Sequence, residues 1–292
     1  MRNGSNACGF LCVEDNVGVG TRSSHSEFCF WPVGQGLFYT GQINRDFNFV
    51  YDCGADQANQ ANLSRCIQKY VNTWNPRDLD FVIVSHPHYD HYSGIRFLAQ
   101  KVPIRRLIIP FLGDDYETVV LNLFRANQDI QYSESVREMA FIMLCYAQAN
   151  GTRIESGEEV FYSDITISVA KGFGVDNLFG TCEWAFHIFD GELPRNIESA
   201  SSEVRTALTS LIGANPFDTP AKKWQELANF VSKNGDAWNR IVEVFEKCGI
   251  VTGRQTNGAS IVLAHHPLYD AASCFIPYIR TMNCNVKRNT RR

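Results

Sequence analysis

The chain has 292 residues, of which 45% are hydrophobic, and a formal net charge of -4 at pH 7. This length and apolar content suffice for a packed core in one large domain or two small ones. With 27 basic and 31 acidic residues, the chain lacks the global basic field of a non-specific nucleic-acid binder.

Neither a membrane span nor a disulfide framework is evident in the sequence. No apolar run approaches the roughly 20 residues that cross a bilayer, and the apolar stretch at residues 7–13 is shorter than the core of a secretory signal. The ten cysteines are scattered singly. Cys66 and Cys145 lie in apolar helical contexts, where a free thiol packs as a small hydrophobe. We therefore expect a reduced, cytoplasmic protein without membrane contact.

The N-terminal part of the chain divides into a leader and a group of strands. Residues 1–26 are rich in Gly, Ser and Asn and lack periodicity, which predicts a disordered leader before a domain at 27–292. Gly-bearing turns separate three apolar segments, which predicts an antiparallel meander of strands at 27–33, 37–40 and 47–51. A four-residue apolar spacing then predicts a helix at 59–74 that Pro76 ends.

The most informative stretch follows the unbroken apolar run at residues 81–84, which is typical of a buried strand. Three of the seven histidines occur within six residues here, with a carboxylate before the third. His86 and His88 are two residues apart, so they can bind one ion from the same side of an extended segment. Asp90 and His91 can bind a second ion. The alternative is a polar surface turn rich in histidine, but four ligand-type residues in six positions favour a metal site.

This H-x-H-x-D-H run resembles the signature of the metallo-β-lactamase superfamily. The resemblance implies that His86 and His88 bind a first metal ion and that Asp90 and His91 bind a second. The turn at residues 33–36, V-G-Q-G, and the D-C-G that begins at Asp52 are similar to the branch found in DNA-uptake competence proteins. In that branch Asp52 would lie beneath the metal loop and orient one of its ligands.

The order of strand, metal loop, helix and strand also resembles the superfamily. We predict its helix at 92–101, with its N-terminus facing the site, and its next strand at 104–110. Apolar periodicity predicts further helices at 114–128 and 133–150, and a hairpin of residues 159–162 and 165–170 opens the second half of the fold. Another strand is predicted at 183–189.

Residues 191–257 depart from the family pattern and are predicted to form a helical insertion. The insertion includes helices within 196–212 and 219–248, and no metal-ligand spacing occurs in it. It either covers or flanks the site, or it is a surface decoration that stabilises the domain.

Strand character returns at residues 257–263, before His265 and His266. The competence-type branch has a G-D pair and an H-H-G-S motif here that supply further ligands, and this chain has neither. Either His265 or His266 is a displaced ligand, or the chain is truncated or divergent, which we favour. Because side chains alternate along a strand, His265 shares the core-facing side with Ile261 and Leu263, so it is the candidate extra ligand.

The predicted fold class is a mixed α/β (α+β) αββα sandwich, incomplete at its C-terminal end. The resemblance implies a metallo-hydrolase that uses two Zn²⁺ ions, or Mn²⁺, to activate a bridging water, with Asp90 steering the hydroxide. Its competence-type features point to phosphodiester bonds in a nucleic acid or a small anionic molecule. The alternatives are hydrolysis of a thioester, lactone or other ester, and a non-catalytic remnant that binds a metal or a partner.

Overall fold

A computed structural model gives the fold and describes residues 26–127, 132–151, 165–170, 184–190, 198–250 and 260–267. Residues 1–25 of the predicted leader and the strand predicted at 159–162 lie outside the described residues, and Ser26 already belongs to β1. The described strands are β1 Ser26–Phe30, β2 Phe38–Ile43, β3 Phe47–Cys53, β4 Phe81–Ile83, β5 Arg106–Pro110, β6 Thr166–Ala170, β7 Trp184–Asp190 and β8 Ile261–Pro267.

The strands form two sheets. The first has the order β1-β2-β3-β4-β5-β6, antiparallel from β1 to β3 and parallel from β3 to β6. The second consists of β7 and β8, paired antiparallel. The predicted meander is confirmed. The strand predicted at 165–170 is β6, which pairs with β5 in parallel. It therefore extends the first sheet, and the prediction that it opens the second half of the fold is wrong.

The first sheet is buried on both faces, which explains the unbroken apolar run of β4. Phe81 and Ile83 pack in an apolar cluster with Phe186 of the second sheet. Val82 and Val84 point the other way, into a larger cluster shared with the helices. Because neighbouring side chains alternate between faces, a strand covered on both sides needs apolar residues at every position.

The helices cover one face of the first sheet. They are α1 Gln60–Trp74, α2 Tyr89–Tyr92, α3 Ile95–Ala99, α4 Tyr116–Ala126, α5 Tyr132–Ala149, α6 Ser202–Ile212, α7 Pro220–Lys233 and α8 Ala237–Lys247. Within the described residues the layers are therefore helices, first sheet and second sheet, which confirms the predicted mixed α/β class. None of the helices in these ranges has both the length and the apolarity that crossing a membrane requires.

Helices α6, α7 and α8 correspond to the predicted insertion and are part of the helical layer. Trp224 and Trp238 are buried in the apolar cluster that also contains α4 and α5. The ring of Phe124 in α4 lies 4.9 Å from that of Phe245 in α8. Tyr116 of α4 hydrogen-bonds to Thr209 of α6 at 2.6 Å. These helices therefore contribute to the main core, whereas helices that only decorate the surface would not.

Three other predicted elements differ from the structure. The helix predicted at 92–101 is two short helices that separate at Ser93 and Gly94, because Gly94 lies against Cys53 and donates to its carbonyl at 2.8 Å. The region 219–248 forms α7 and α8, with Gly235 between them. The strand predicted to end at Leu263 continues through Pro267, because β7 pairs with its whole length.

Candidate metal centre

Residues 85–91 leave the carboxyl end of β4 at the centre of the first sheet. Val84 still pairs with β5, donating to the carbonyl of Ile108 at 2.8 Å. The chain then turns away, and the backbone hydrogen bonds of α2 and α3 begin at His88 and Gly94. The edge of a buried parallel sheet therefore holds the four predicted ligands on a rigid support.

Asp52 lies beneath this loop and is completely buried. Its carboxylate accepts hydrogen bonds from the Ser85 backbone N–H at 2.6 Å, the Ser85 hydroxyl at 2.5 Å and His91 Nδ1 at 2.8 Å. Burial raises the pKa of Asp52, and the hydrogen bonds from His91 and Ser85 oppose that rise. Its backbone has φ of 57°, in the left-handed region, so strain is held at the centre of the network.

The Ser85 hydroxyl connects Asp52 to two imidazoles. Since this hydroxyl donates to Asp52, its oxygen is left to accept from His86 Nδ1 at 2.9 Å. His91 donates its own Nδ1–H to Asp52. We therefore assign the Nδ1–H tautomer to both rings, which leaves the Nε2 lone pair of each free of that proton. The role of Ser85 could not be predicted from the sequence, because a serine beside histidines carries no signal of its own.

The three histidine rings lie together at the surface of the loop. The His86 and His91 rings have centroids 3.6 Å apart, and those of His86 and His88 are 4.8 Å apart. The Asp90 carboxylate lies 3.8 Å from His91 Nε2. Burial, followed by the neighbouring charges of His91 and His88, lowers the pKa of His86 to about 3, so this ring is neutral. A neutral imidazole is the form that binds metal.

The types of side chain in this loop fit the ligands of a transition-metal ion. Neutral imidazoles with Nδ1 hydrogen-bonded to a carboxylate are the usual ligands of zinc. Among the described residues, however, no group of three or more His, Cys, Asp or Glu side chains is arranged to hold a metal ion. The assignment of His86, His88, Asp90 and His91 as ligands, and of Asp52 as their support, therefore stays a prediction.

Two glycines let the loop backbone lie against the first strands. Leu37 donates to the Asp90 carbonyl at 3.3 Å, and Gly54 donates to the Leu37 carbonyl at 3.0 Å. A Cβ atom on Gly36 or Gly54 would overlap the Asp90 carbonyl. The glycines of the V-G-Q-G and D-C-G motifs therefore set the position of the Asp90 backbone.

We expect Gly54→Ala to displace this backbone. Gly54 is not in the left-handed region, so the cost is steric: about 1–3 kcal/mol of unfolding free energy, and at least about 10-fold in metal affinity. Chemical denaturation and metal titration measure the two effects. Gly235→Ala is the matched control, since a Cβ there meets nothing within 4 Å. Equal behaviour of the two variants would contradict the assigned role.

Asn127 supports the loop from the helical side. Its side-chain amide donates to the Pro87 carbonyl at 2.9 Å and to the Leu123 carbonyl at 2.7 Å. Its oxygen accepts from the Tyr92 hydroxyl at 3.2 Å. Asn127 is almost fully buried and follows the C-terminal end of α4. Nothing in its sequence context indicates this contact, because the partner is a backbone carbonyl 40 residues away.

The structure does not bring His265 to the histidine loop. Ile261, at the start of β8, donates to the Ser85 carbonyl, and His265 lies four residues further on, roughly 13 Å along the strand. Its Nε2 is 3.0 Å from the Tyr39 hydroxyl, and its ring packs against Phe28 and Phe49. The alternation of faces follows the prediction, but the longer strand carries His265 away from the loop. We therefore leave it out of the proposed ligand set.

Comparison with known proteins gives one family match. The family model described as Metallo-beta-lactamase superfamily matches residues 23–168. This range contains Asp52, the two glycine motifs and the entire histidine loop. No curated protein matches the chain significantly.

Proposed function

Because the chain belongs to the metallo-beta-lactamase superfamily, we propose that it is a metal-dependent hydrolase whose centre is the loop at residues 85–91. His86 and His88 would hold one ion, and Asp90 and His91 a second. Zn²⁺ is the ion that suits three imidazoles and a carboxylate best, and Mn²⁺ is the alternative. When bound, such ions supply an activated water at neutral pH and stabilise a leaving oxygen.

The hydrogen-bond network of Asp52 and Ser85 is the observation that carries this proposal. A metal-binding imidazole needs its second nitrogen protonated and held, since this fixes the tautomer and the ring orientation. Asp52 does this for His91 directly, and Ser85 does it for His86. A histidine-rich surface turn does not require a fully buried carboxylate beneath two of its rings. Here Asp52 occupies that place, in a strained backbone conformation.

The residues of the chain divide the work of a hydrolytic site. Asp52 and Ser85 hold the protons of His91 and His86 at Nδ1, away from the substrate side. The Asp90 backbone is fixed by the close approach of Gly36 and Gly54, and its carboxylate would orient the attacking water. The Pro87 carbonyl is tied to Asn127, which stabilises the conformation between His86 and His88.

We propose phosphodiesters as the substrate class. A centre of two cations suits the anionic oxygens of a phosphodiester and compensates locally for the net charge of -4. The V-G-Q-G turn and the Asp52 motif, similar to those of DNA-uptake competence proteins, also support this substrate class. A nucleic acid and a small phosphodiester share this chemistry.

The test is a substrate panel with the full chain after chelation and after reconstitution with Zn²⁺ or Mn²⁺. The panel contains bis(p-nitrophenyl) phosphate, single-stranded DNA and RNA, a thioester and a lactone. We expect phosphodiester cleavage that chelation abolishes and metal restores. Cleavage of only the thioester or lactone would contradict the proposed substrate class but support the proposal of a metallo-hydrolase. Absence of metal-dependent turnover on every substrate would contradict the proposal and favour a non-catalytic protein that binds a metal or a partner.

A further inference from the structure

A pair of histidines lies on the outer face of the second sheet, away from the loop. Along β8, Ile261 is buried against the first sheet, whereas Val262 is 53% exposed and His266 is exposed on the same side. In the register of the sheet, His266 pairs with Ala185 and His187 pairs with Ala264. His187 and His266 are therefore diagonal neighbours on one face, where their side chains reach each other.

The two rings meet edge to edge through their Nε2 atoms. These atoms are 3.0 Å apart, the ring planes differ by 16°, and the centroids are 5.1 Å apart. Each neutral imidazole has one protonated and one unprotonated nitrogen, so one Nε2 donates and the other accepts. The backbone pairing of two strands thus holds two ligand nitrogens next to each other.

We propose that His187 and His266 form a second, separate site for a divalent transition-metal ion, with Zn²⁺ or Cu²⁺ as the ion. At a Zn–N length of about 2.0–2.1 Å, nitrogens 3.0 Å apart subtend about 95° at the ion, and widening them by about 0.3–0.4 Å gives the tetrahedral angle. The donor ring moves its proton from Nε2 to Nδ1 when the ion binds, so two neutral rings release no proton. Each imidazole must also turn so that its Nε2 lone pair points at the ion and not at the other ring.

We expect this site to bind metal with lower affinity than the histidine loop and to have open coordination positions. No third His, Cys, Asp or Glu completes a metal-binding group in the part of the chain that the structure describes. We assign only the two imidazoles to the ion, and water or an added ligand would complete its coordination. Affinity should follow Cu²⁺ over Zn²⁺. Since each histidine comes from a different strand, the ion would cross-link β7 to β8, the strand that starts at the Ser85 carbonyl.

Titration of the full chain with Zn²⁺ tests the proposal, using His187→Asn, His266→Asn and the control Val262→Thr on the same exposed face. We expect the unsubstituted chain to show a class of Zn²⁺ site with lower affinity, in addition to the site at the loop. Each histidine variant should weaken this class at least about 10-fold, and Val262→Thr should leave it unchanged. His88→Asn should retain it, which separates this pair from the proposed function of the loop.

Histidine ¹⁵N resonances of the unsubstituted chain give a second measurement that does not depend on how the variants fold. Adding Zn²⁺ beyond saturation of the loop should shift the signals of His187 and His266 together, and removing the Zn²⁺ with EDTA should reverse the shift. A weaker class that survives in both histidine variants would overturn the proposal. Signals of this pair that stay unchanged with excess Zn²⁺ would also overturn it.

Discussion

Replacing Asp90 with alanine is expected to lower kcat by at least about 10²-fold while leaving KM within a few-fold, since it removes a group that acts in the transition state. Asp90 is proposed to hold the second ion and to orient the attacking water. Its backbone carbonyl already accepts from Leu37, so its position does not depend on the side chain. Steady-state kinetics on bis(p-nitrophenyl) phosphate with saturating Zn²⁺ measure both constants.

Asp236→Ala is the matched control for this variant. Asp236 is exposed, precedes α8 and makes no capping hydrogen bond through its side chain, so its removal should leave kcat and KM unchanged. Near-normal kcat in Asp90→Ala would count against a hydrolytic role for the loop. A rise in KM alone would instead assign Asp90 to substrate binding.

Replacing Asp52 with asparagine is expected to lower the metal affinity of the loop about 10–100-fold and the unfolding free energy by about 1–3 kcal/mol. Asparagine keeps the shape of the side chain and tolerates the left-handed backbone, so the change removes the charge and replaces one acceptor oxygen with an NH₂ donor. The donors of Ser85 and His91 then compete for one oxygen. Zn²⁺ titration and chemical denaturation measure the two quantities.

Asp80→Asn separates the two effects. Asp80 immediately precedes β4, at the opposite end of this strand from the loop, and its carboxylate accepts from the Asn48 backbone N–H at 2.8 Å. We expect this control to lose stability with no change in metal affinity. If Asp52→Asn loses stability but keeps full metal affinity, Asp52 supports the fold only, and the assignment of the histidine tautomers fails.

The parts of the site that lie close together in the sequence could be predicted from it. The apolar run before the histidines identified β4 because a strand buried on both faces needs apolar residues throughout. Asp52, by contrast, was singled out by the resemblance of the D-C-G motif to the competence-type branch, because its partners Ser85 and His91 lie 33 and 39 residues further along the chain. Only the prediction of β4 rests on a local pattern that reflects a local physical requirement.

Features that depend on distant contacts could not be predicted. The separation of α2 from α3 depends on the approach of Gly94 to Cys53, 41 residues earlier. Asn127 holds the loop by donating to a backbone carbonyl, and a contact of this kind cannot be inferred from the residue types. The length of β8 depends on its pairing with β7, and this length separates His265 from the loop. Alternation along β8 predicted the faces of its histidines correctly, but not where the strand ends.

The metal content of the purified chain tests the central claim most directly. His266→Asn is the chain to use, because it lacks the proposed second site and any tightly held ion then belongs to the loop. After loading with Zn²⁺ and dialysis against metal-free buffer, elemental analysis should find two ions per chain, and His88→Asn introduced into the same chain should reduce that number. One ion or none per chain in His266→Asn alone would contradict a centre of two metal ions built on residues 85–91.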